Sequence, residues 1–335
     1  MKELIKKLSN GQDLTMDEAE EAIDIMLSGK ATEGQIGSFL TALKMKGETI
    51  DEIVGCSKSI RNKALHIKPS VEKFIDFVGT GGDGISTFNI STTSAIVVAA
   101  SGLAVAKHGN RSVSSKSGAA DVLESLGVNI MNNVHDVEES VNTIDIGFMF
   151  APIFNESMKY VGKVRKDIGI RSVFNILGPL SNPSGAKYQL IGVYNKKLVD
   201  IFAKTLKKLK VESALIVNAD DGMDEISLSS DTNIADLRNG EIKTYKISPE
   251  DFGFKKCDIS ELKGGDSKIN AEITKKILSG EKGPKRDIVL LNAGAALYAG
   301  QKVDSIEDGI KMAIDTIDSE KALKKLNELI EFSNR

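Results

Sequence analysis

The sequence predicts an α/β protein in which a small all-helical N-terminal domain precedes a large α/β domain with a mostly parallel central sheet. Residues 1–67 carry helix-start patterns and helical apolar spacing, whereas after Pro69 short β-rich runs alternate with longer helical ones. The chain has 335 residues, 41% of them hydrophobic, which is enough to build two domains. We place these domains at 1–67 and 68–335.

The helical domain is predicted from three capping boxes, in which a threonine is followed three residues later by Glu or Gln. Each precedes a stretch with helical apolar spacing, and glycines follow the first two stretches as stop signals. We therefore expect four short helices before residue 67. The pairs are Thr15 with Glu18, Thr32 with Gln35 and Thr49 with Glu52, and the glycines are Gly29 and Gly47.

The α/β domain is predicted from five apolar, β-rich runs separated by helical patterns. Asn239-Gly240 adds a hairpin turn, and the last 70 residues have mainly helical spacing. The predicted strands are "FIDFV", "LAVAK", "IGFMFA", "YQLIGVY" and "SALIVNA", and the predicted helices are Thr92–Ala100, Gly118–Leu126, Ser157–Asp167 and Lys197–Leu209.

The first strand runs into "GTGGDG", which matches the G-x-G-x-x-G pattern of dinucleotide-binding folds. That fold also needs a helix directly after the third glycine and an acidic residue about 20 positions later. Gly84 is instead followed by "ISTFNIST", and no acid occurs from Gly84 to Ala120, where chance would place about five. We therefore do not interpret the loop as a nucleotide fingerprint, although a glycine cluster is also typical of a plain tight turn.

The acid-free window is rich in groups that bind phosphate. It contains Lys107, His108, Arg111 and Lys116, together with many Ser, Thr and Asn side chains. Two strand-loop-helix units, "GTGGDGISTFNIST" and "KHGNRSVSSKSG", supply them, and backbone N–H groups at helix N-termini favour anions. Ser91 and Thr92 could also be simple helix caps, and His108 a satisfied loop residue. Together these features predict a polyanion pocket.

Carboxylates cluster in a different loop, "NADDGMDEISL", directly after a predicted strand. It places Asp220, Asp221, Asp224 and Glu225 at the carboxyl end of that strand, where open α/β sheets bind ligands. Asp-Asp-Gly is also a good turn sequence. Next to a polyanion pocket, however, these carboxylates favour a magnesium site. Mg²⁺ prefers oxygen ligands and commonly bridges carboxylates and substrate phosphates.

The overall charge of –3 gives no basic field for nucleic acid or lipid, so we expect neither a nucleic-acid nor a membrane partner. Cys56 and Cys257 follow no metal or disulfide pattern. The N-terminus lacks a signal segment, and no apolar run approaches the roughly 20 residues of a membrane span. We therefore expect a cytoplasmic protein.

The motifs, in this order, resemble those of the anthranilate phosphoribosyltransferase family over nearly the whole chain. The matching stretches are "GTGGD", "TFNIST", "AKHGNRSVSSKSGAADVLESLG", "VRKDIGIRSVFNILGPLSNP" and "DGMDEISL". The resemblance implies transfer of the phosphoribosyl group of 5-phospho-α-D-ribose 1-diphosphate to anthranilate, with release of pyrophosphate, in tryptophan biosynthesis. It also implies the fold of nucleoside phosphorylases and phosphoribosyltransferases.

The resemblance assigns site residues by position. Asp224, Glu225 and Ser91 would bind Mg²⁺, as two ions with the diphosphate substrate. Gly79, Asn110 and Arg165 would contact anthranilate. No catalytic acid or base is assigned, and His108 is the candidate to test. The phosphoribosyl diphosphate would be bound by Gly79, Gly82, Asp83, Thr87, Asn89, Ile90, Ser91, Thr92, Lys107, His108, Gly109, Asn110, Arg111, Ser112, Val113, Ser114, Ser115 and Ala119.

The resemblance also implies a homodimer and a segment, about 165–184, that returns to the helical domain. It leaves association with anthranilate synthase open. One stretch departs from the family pattern: Asn155, Glu156, Ser157 and Met158 stand where a His-Pro-Ala-Met string is common, and Lys163 replaces a usual proline. Any histidine contact to anthranilate from this stretch is therefore in doubt.

Two other functions remain as alternatives. A pyrimidine nucleoside phosphorylase shares the architecture, but its second loop typically has a Lys-x-Ser-x-Arg pattern, where this chain has "KHGNR". A non-catalytic nucleic-acid-binding relative is disfavoured by the acidic composition and the Asp224-Glu225 pair.

Overall fold

Four helices form the N-terminal domain of the computed structural model, which describes residues 1–112 and 116–335. They are α1 (Lys2–Ser9), α2 (Met16–Leu27), α3 (Glu33–Lys46) and α4 (Ile50–Lys63). All three predicted capping boxes form: each threonine side chain accepts the N3 amide and each N3 side chain accepts the threonine amide. Gly29 and Gly47 end α2 and α3 with positive φ angles, as predicted. The four-helix prediction is confirmed.

Seven strands form one mixed sheet in the order β3-β2-β1-β4-β5-β6-β7. The first five strands pair in parallel and the last two are antiparallel. All five predicted strands are present, and Asn239-Gly240 joins β6 to β7 with both φ angles positive. The strands are β1 (Phe74–Gly79), β2 (Ala104–Gly109), β3 (Ile146–Phe150), β4 (Tyr188–Gly192), β5 (Ser213–Ala219), β6 (Thr232–Arg238) and β7 (Glu241–Ile247).

Eleven further helices are found in the described part of the chain. They are α5 (Ile90–Ala100), α6 (Ala119–Leu126), α7 (Val134–Ile144), α8 (Ala151–Phe154), α9 (Lys159–Ile168), α10 (Phe174–Leu177), α11 (Lys197–Lys208), α12 (Ser267–Leu278), α13 (Pro284–Ala299), α14 (Ile306–Asp318) and α15 (Lys321–Ser333). Helix α7 was not predicted, although its Asn133 cap accepts the amide of Asp136 at 3.1 Å. The helix predicted to start at Ser157 begins with a 3-10 turn, so α9 starts at Lys159.

A shared hydrophobic core joins the helical domain to one face of the sheet. Leu27, Phe39 and Leu40 from the helices belong to the same buried cluster as Ile191 and Ile216 from the strands. The 173–180 stretch packs into this cluster too, and Arg61 Nε donates to the carbonyl of Leu180 at 2.6 Å. These contacts agree with a returning segment, while the proposed domain boundaries stay predictions.

The strand order creates a switch point beside β1. From β1 the chain adds β2 and β3 on one side, then crosses to add β4 and β5 on the other. Gly79 and Gly192, the last residues of β1 and β4, are register partners at this point. In open α/β sheets such a crevice at the carboxyl ends of the strands is where ligands bind. The fold therefore places the candidate site between these two strands.

We predict that Lys46→Met destabilises the helical domain by about 3 kcal/mol, because it leaves a buried carboxylate without its partner. Lys46 Nζ lies 2.9 Å from Glu52 Oε2, and the two side chains are only 7% and 0% exposed. Urea unfolding measures the change. Lys208→Met, which breaks the exposed pair with Asp51, is the matched control and should cost less than about 1 kcal/mol. Equal effects of the two substitutions would contradict the prediction.

Candidate active site

The loop after β5 lies directly across the carboxyl ends of β1 and β4. A Cβ atom built on Gly192 would be 1.5 Å from the carbonyl oxygen of Asp224, and one built on Gly79 would be 2.6 Å from Asp224 Oδ2. Any side chain at either position would displace the loop. Glycine at these two strand ends therefore lets the acidic loop enter the crevice at the switch point.

Two neighbouring carboxylates are held inside this crevice by backbone amides. Gly81 N–H donates to Asp224 Oδ2 at 2.6 Å, and Ser91 N–H donates to Glu225 Oε1 at 3.1 Å. Burial and the nearby Asp83 raise the pKa of Asp224 to about 7. Burial and Asp224 also raise the pKa of Glu225 well above its usual range, opposed by Lys107. Full ionisation of both carboxyl groups is therefore disfavoured, first by burial and then by the neighbouring negative charges.

A buried lysine lies between this cluster and a second carboxylate. Lys107 in β2 is 4% exposed and donates to the carbonyl oxygen of Phe77. Burial lowers the pKa of Lys107, while the charges of Asp76 and Glu225 oppose that shift. Burial likewise raises the pKa of Asp76 to about 6, opposed by Lys107. The single positive charge of Lys107 thus interacts with two buried acids, Asp76 and Glu225.

The first glycine loop follows β1 without a helix, as the sequence predicts. Gly81, Gly82 and Gly84 all have positive φ angles, which glycine adopts at little cost. Sequence reasoning missed Arg171, whose guanidinium donates to the carbonyl oxygen of Gly82 at 2.7 Å and stacks on Tyr194 at 4.1 Å. The segment that follows α9 therefore contacts this loop directly.

The second half of the loop leads into the N-terminus of α5, which begins at Ile90. Thr87 forms an isolated bridge with Lys263. Thr92 is 2% exposed, and its hydroxyl has no hydrogen-bond partner among the described residues. An unpaired polar atom in a buried place is costly unless a ligand or water reaches it. The first turn of α5 is therefore suited to a polar ligand.

The second predicted loop, after β2, is braced by α6. Arg111 pairs with Asp121 at 3.1 Å and with Glu124 at 2.7 Å. Asp121 also accepts the amides of Ser112 and Gly118, both at 2.9 Å, and so caps the helix that begins at Ala119. Arg111 is thus bonded to helix carboxylates in this structure. Val113, Ser114 and Ser115 lie outside the described residues.

The buried His108 contacts the residue that departs from the family pattern. Its Nε2 lies 3.2 Å from the side-chain nitrogen of Asn155, which is itself 6% exposed. Burial and the neighbouring Lys107 lower the pKa of His108 to about 4, so its imidazole is neutral near pH 7. Asn155, at the sequence position where the family pattern commonly has a histidine, therefore lies beside this ring.

Three other predicted residues lie at the end of β2, directly after it and on α9. Gly109 ends β2, where a Cβ atom would be 2.9 Å from the Phe148 ring, and the Asn110 carbonyl accepts the amide of Ala120 at 3.2 Å. Arg165 on α9 is half-buried and stacks on Phe174 at 5.2 Å. Its guanidinium has no ion-pair partner among the described residues, so its paired donors remain available to a carboxylate.

The four acids of the loop after β5 have two different roles. Asp220 pairs with Lys246 at 2.6 Å on the surface, and Asp221 accepts from Ser227 at 2.6 Å within the loop. Only Asp224 and Glu225 face the crevice. A residue that sequence reasoning missed, Asn292 on α13, fixes the next position: its carboxamide accepts Ile226 N–H at 3.0 Å and donates to Ile226 C=O at 2.8 Å. "LNAGAAL" was the available signal.

The donor set fits Mg²⁺. The two neighbouring buried carboxyl groups of Asp224 and Glu225 provide the hard oxygen ligands that this ion prefers. No three His, Cys, Asp or Glu side chains form a complete metal site among residues 1–112 and 116–335. A magnesium ion would therefore complete its shell with water and substrate oxygens, as is usual where it binds phosphates.

Comparison with known proteins identifies the family. Residues 2–64 match the helical bundle domain of a glycosyl transferase family, and residues 71–323 match its a/b domain. The chain is 53% identical to the anthranilate phosphoribosyltransferase of Acetivibrio thermocellus, over 100% of this chain and 97% of that protein. The chain belongs to the anthranilate phosphoribosyltransferase family. The corresponding protein of Methanobrevibacter smithii is 51% identical, over 100% and 99% of the two chains.

Solved structures of anthranilate phosphoribosyltransferases share this fold. The enzyme of Thermus thermophilus has a TM-score of 0.94 and 36% identity, covering 99% of both chains. The Saccharomyces cerevisiae enzyme in complex with PRPP and Mg has a TM-score of 0.92 and 30% identity, covering 99% of this chain and 97% of that one. The predicted fold class and family are therefore confirmed. No described helix is long and apolar enough to span a membrane.

We predict that Gly192→Ala lowers kcat/KM about a hundredfold, because the new methyl group would push the Asp224 carbonyl from its place. A shift of about 1 Å in groups that position a substrate has an effect of that size. Steady-state kinetics measures the change, and circular dichroism checks the fold. Gly34→Ala, in an open helical position, is the matched control and should leave kcat/KM unchanged. Normal kinetics of the Gly192 variant would show that the loop tolerates displacement.

Proposed function

We propose that this chain transfers the phosphoribosyl group of 5-phospho-α-D-ribose 1-diphosphate to the amine of anthranilate, forming N-(5-phosphoribosyl)anthranilate and pyrophosphate in tryptophan biosynthesis. The observation that carries the proposal is the buried Asp224-Glu225 pair at the switch point, facing a glycine loop and the N-terminus of α5. Family membership supports the same reaction rather than nucleoside phosphorolysis or nucleic-acid binding.

We assign the diphosphate and its Mg²⁺ to two parts of the crevice. The glycine loop and the first turn of α5 offer backbone amides and hydroxyl groups to the diphosphate. Asp224, Glu225 and Ser91 would bind Mg²⁺, which neutralises charge on the departing pyrophosphate. Support comes from the S. cerevisiae enzyme, whose structure contains PRPP and Mg. The number of ions, which we propose to be two, follows from the sequence resemblance.

Anthranilate would bind beside Arg165, with Gly79 and Asn110 on the facing side. The guanidinium of Arg165, which has no ion pair with a described residue, suits a carboxylate, because two parallel N–H donors match its two oxygens. The S. cerevisiae enzyme also has a structure in complex with 4-fluoroanthranilate, which supports an aromatic acid as the acceptor.

Chemistry here requires alignment more than proton transfer. The aromatic amine of anthranilate is weakly basic and unprotonated at neutral pH, so it can attack without prior deprotonation by a strong base. The chain's own residues orient the amine towards the sugar carbon and stabilise charge on the leaving group. Burial lowers the pKa of His108 to about 4, which makes its neutral imidazole a weak base, so His108 stays the candidate to test and no proton transfer is assigned to it.

We further propose that the protein is cytoplasmic and forms a homodimer through its helical domain. The support for both is family resemblance. No nucleic-acid or membrane partner is proposed.

The test of the function follows the fluorescence of anthranilate in the presence of 5-phospho-α-D-ribose 1-diphosphate and Mg²⁺. We expect its fluorescence to fall only when all three are present. No turnover under these conditions, or phosphorolysis of a pyrimidine nucleoside instead, would overturn the proposal.

We predict that the double variant Asp224→Asn with Glu225→Gln abolishes magnesium-supported turnover without lowering the melting temperature. The substitutions preserve shape but remove two crowded like charges, so the metal loses its ligands while the fold loses repulsion. Asp220→Asn, in the same loop but paired with Lys246 on the surface, is the matched control and should retain activity. Near-normal turnover of the double variant would remove the metal assignment.

We predict that Arg165→Ala raises KM for anthranilate about tenfold to a hundredfold, because hydrogen bonds to a charged group are lost. KM for the sugar diphosphate should change by less than about twofold. Initial rates at varied concentrations of each substrate give both values. Lys166→Ala, the exposed neighbour on α9, controls for a general effect on the helix. Equal increases in both KM values would disprove the assigned role.

A further inference from the structure

A buried asparagine far along the chain connects the two substrate loops. Asn270 on α12 is 1% exposed, and its side-chain nitrogen donates to Asn89 Oδ1 at 2.9 Å. Asn89, directly before α5, in turn donates to the carbonyl of Ser117 and accepts from the Ser117 hydroxyl, both at 3.1 Å. The loop after β1 and the loop after β2 are therefore joined through one pair of asparagines.

This arrangement gives Asn89 a role beyond ligand binding. The family resemblance places it among the diphosphate ligands, and its carboxamide makes three hydrogen bonds to protein groups. An amide has two donor protons and one oxygen with two lone pairs, so both lone pairs and one donor proton are used. The side chain of Asn89 therefore joins the two loops, and its second donor proton makes none of these three bonds and can face a ligand.

The other end of Asn270 is fixed by the segment that precedes α12. Its Oδ1 accepts the Gly265 amide at 2.8 Å. The same segment is attached to the first loop by two backbone hydrogen bonds, Gly264 N–H to Ser86 C=O at 3.1 Å and Phe88 N–H to Leu262 C=O at 3.3 Å. These contacts fix the oxygen of Asn270 towards Gly265, so its nitrogen is directed to Asn89.

We propose that Asn270 is a positioning residue that holds the loop after β2 in register with the N-terminus of α5, and so sets affinity for the sugar diphosphate. The proposal rests on the proposed function, since it assigns the diphosphate to these two loops. Asn270 touches no reacting atom. Its effect passes through Asn89 to Ser117.

The decisive variant is Asn270→Asp. One aspartate oxygen can still accept the Gly265 amide, so the bond to the preceding segment survives. The other oxygen replaces the donor and faces Asn89 Oδ1, which is repulsive. Asn89 must then move away or turn its amide round, and either change breaks its contacts with Ser117. The substitution therefore separates the local role of Asn270 from its role between the loops.

We expect Asn270→Asp to raise KM for the sugar diphosphate about tenfold, with KM for anthranilate changed by less than about twofold. In an Asn89→Ala background, which lacks the connection, the same substitution should change KM by less than about twofold. Thr316→Val is the matched control: it removes a hydrogen bond to Ser101 at the opposite end of α5, at 2.9 Å, and should leave both KM values unchanged. An equal KM increase with and without Asn89 would overturn the proposal.

A second measurement does not depend on turnover. Hydrogen exchange of the substrate-free protein should become about tenfold faster in a peptide covering Lys116 to Gly118 in Asn270→Asp but not in Thr316→Val. Unchanged exchange in the Asn270 variant would overturn the connection itself. Absence of wild-type activity with anthranilate, together with faster exchange, would reject the proposed function while retaining the positioning role.

Discussion

The close approach of the acidic loop to two strand ends is the constraint on which the site depends. The carbonyl of Asp224 lies where a Cβ atom of residue 192 would be, and its carboxylate lies beside Gly79. Only glycine at both ends lets the loop reach the crevice between β1 and β4. From that position Asp224 meets the glycine loop and Glu225 meets the first turn of α5. Removing this contact would separate Asp224 and Glu225 from the glycine loop and the first turn of α5.

The charged residues in the crevice suit a ligand that carries both positive and negative charge. Asp224 and Glu225 are buried close together, and Lys107 shares its charge with Asp76. Full ionisation of both carboxyl groups is costly in the free protein because burial disfavours the charged forms and like charges repel. A magnesium-bound diphosphate, as proposed for this site, would supply a cation to the carboxylates and anionic oxygens to the amides and hydroxyls around them. Binding of such a ligand would therefore favour the ionised form of the pair.

The sequence predicted the features that depend on residues close together in the chain. The acid-free stretch from Gly84 to Ala120 separated the glycine loop from a dinucleotide fingerprint, and the capping boxes predicted the helical domain. Arg171, Asn270 and Asn292 were missed because each acts on a backbone or side chain that is distant in sequence. No periodicity or spacing marks such contacts. The split of the acidic loop, with Asp220 and Asp221 facing away, likewise depends on the partners the fold supplies.

Because β6 runs antiparallel to β5, the length of the loop that joins them determines where Asp224 and Glu225 lie. The acidic loop leaves one strand and returns along its neighbour, and its base is closed by Asp220 N–H donating to Asp231 C=O at 2.8 Å. Met223 C=O accepts the Ala219 amide at 3.0 Å, so a tight turn sets the spacing between the end of β5 and Asp224. One inserted residue would shift the carboxylates in the crevice together with Met223, Ile226 and Leu228, which belong to the main hydrophobic core. This connection should therefore tolerate substitution at Asp220, which is paired on the surface, far better than any change in length.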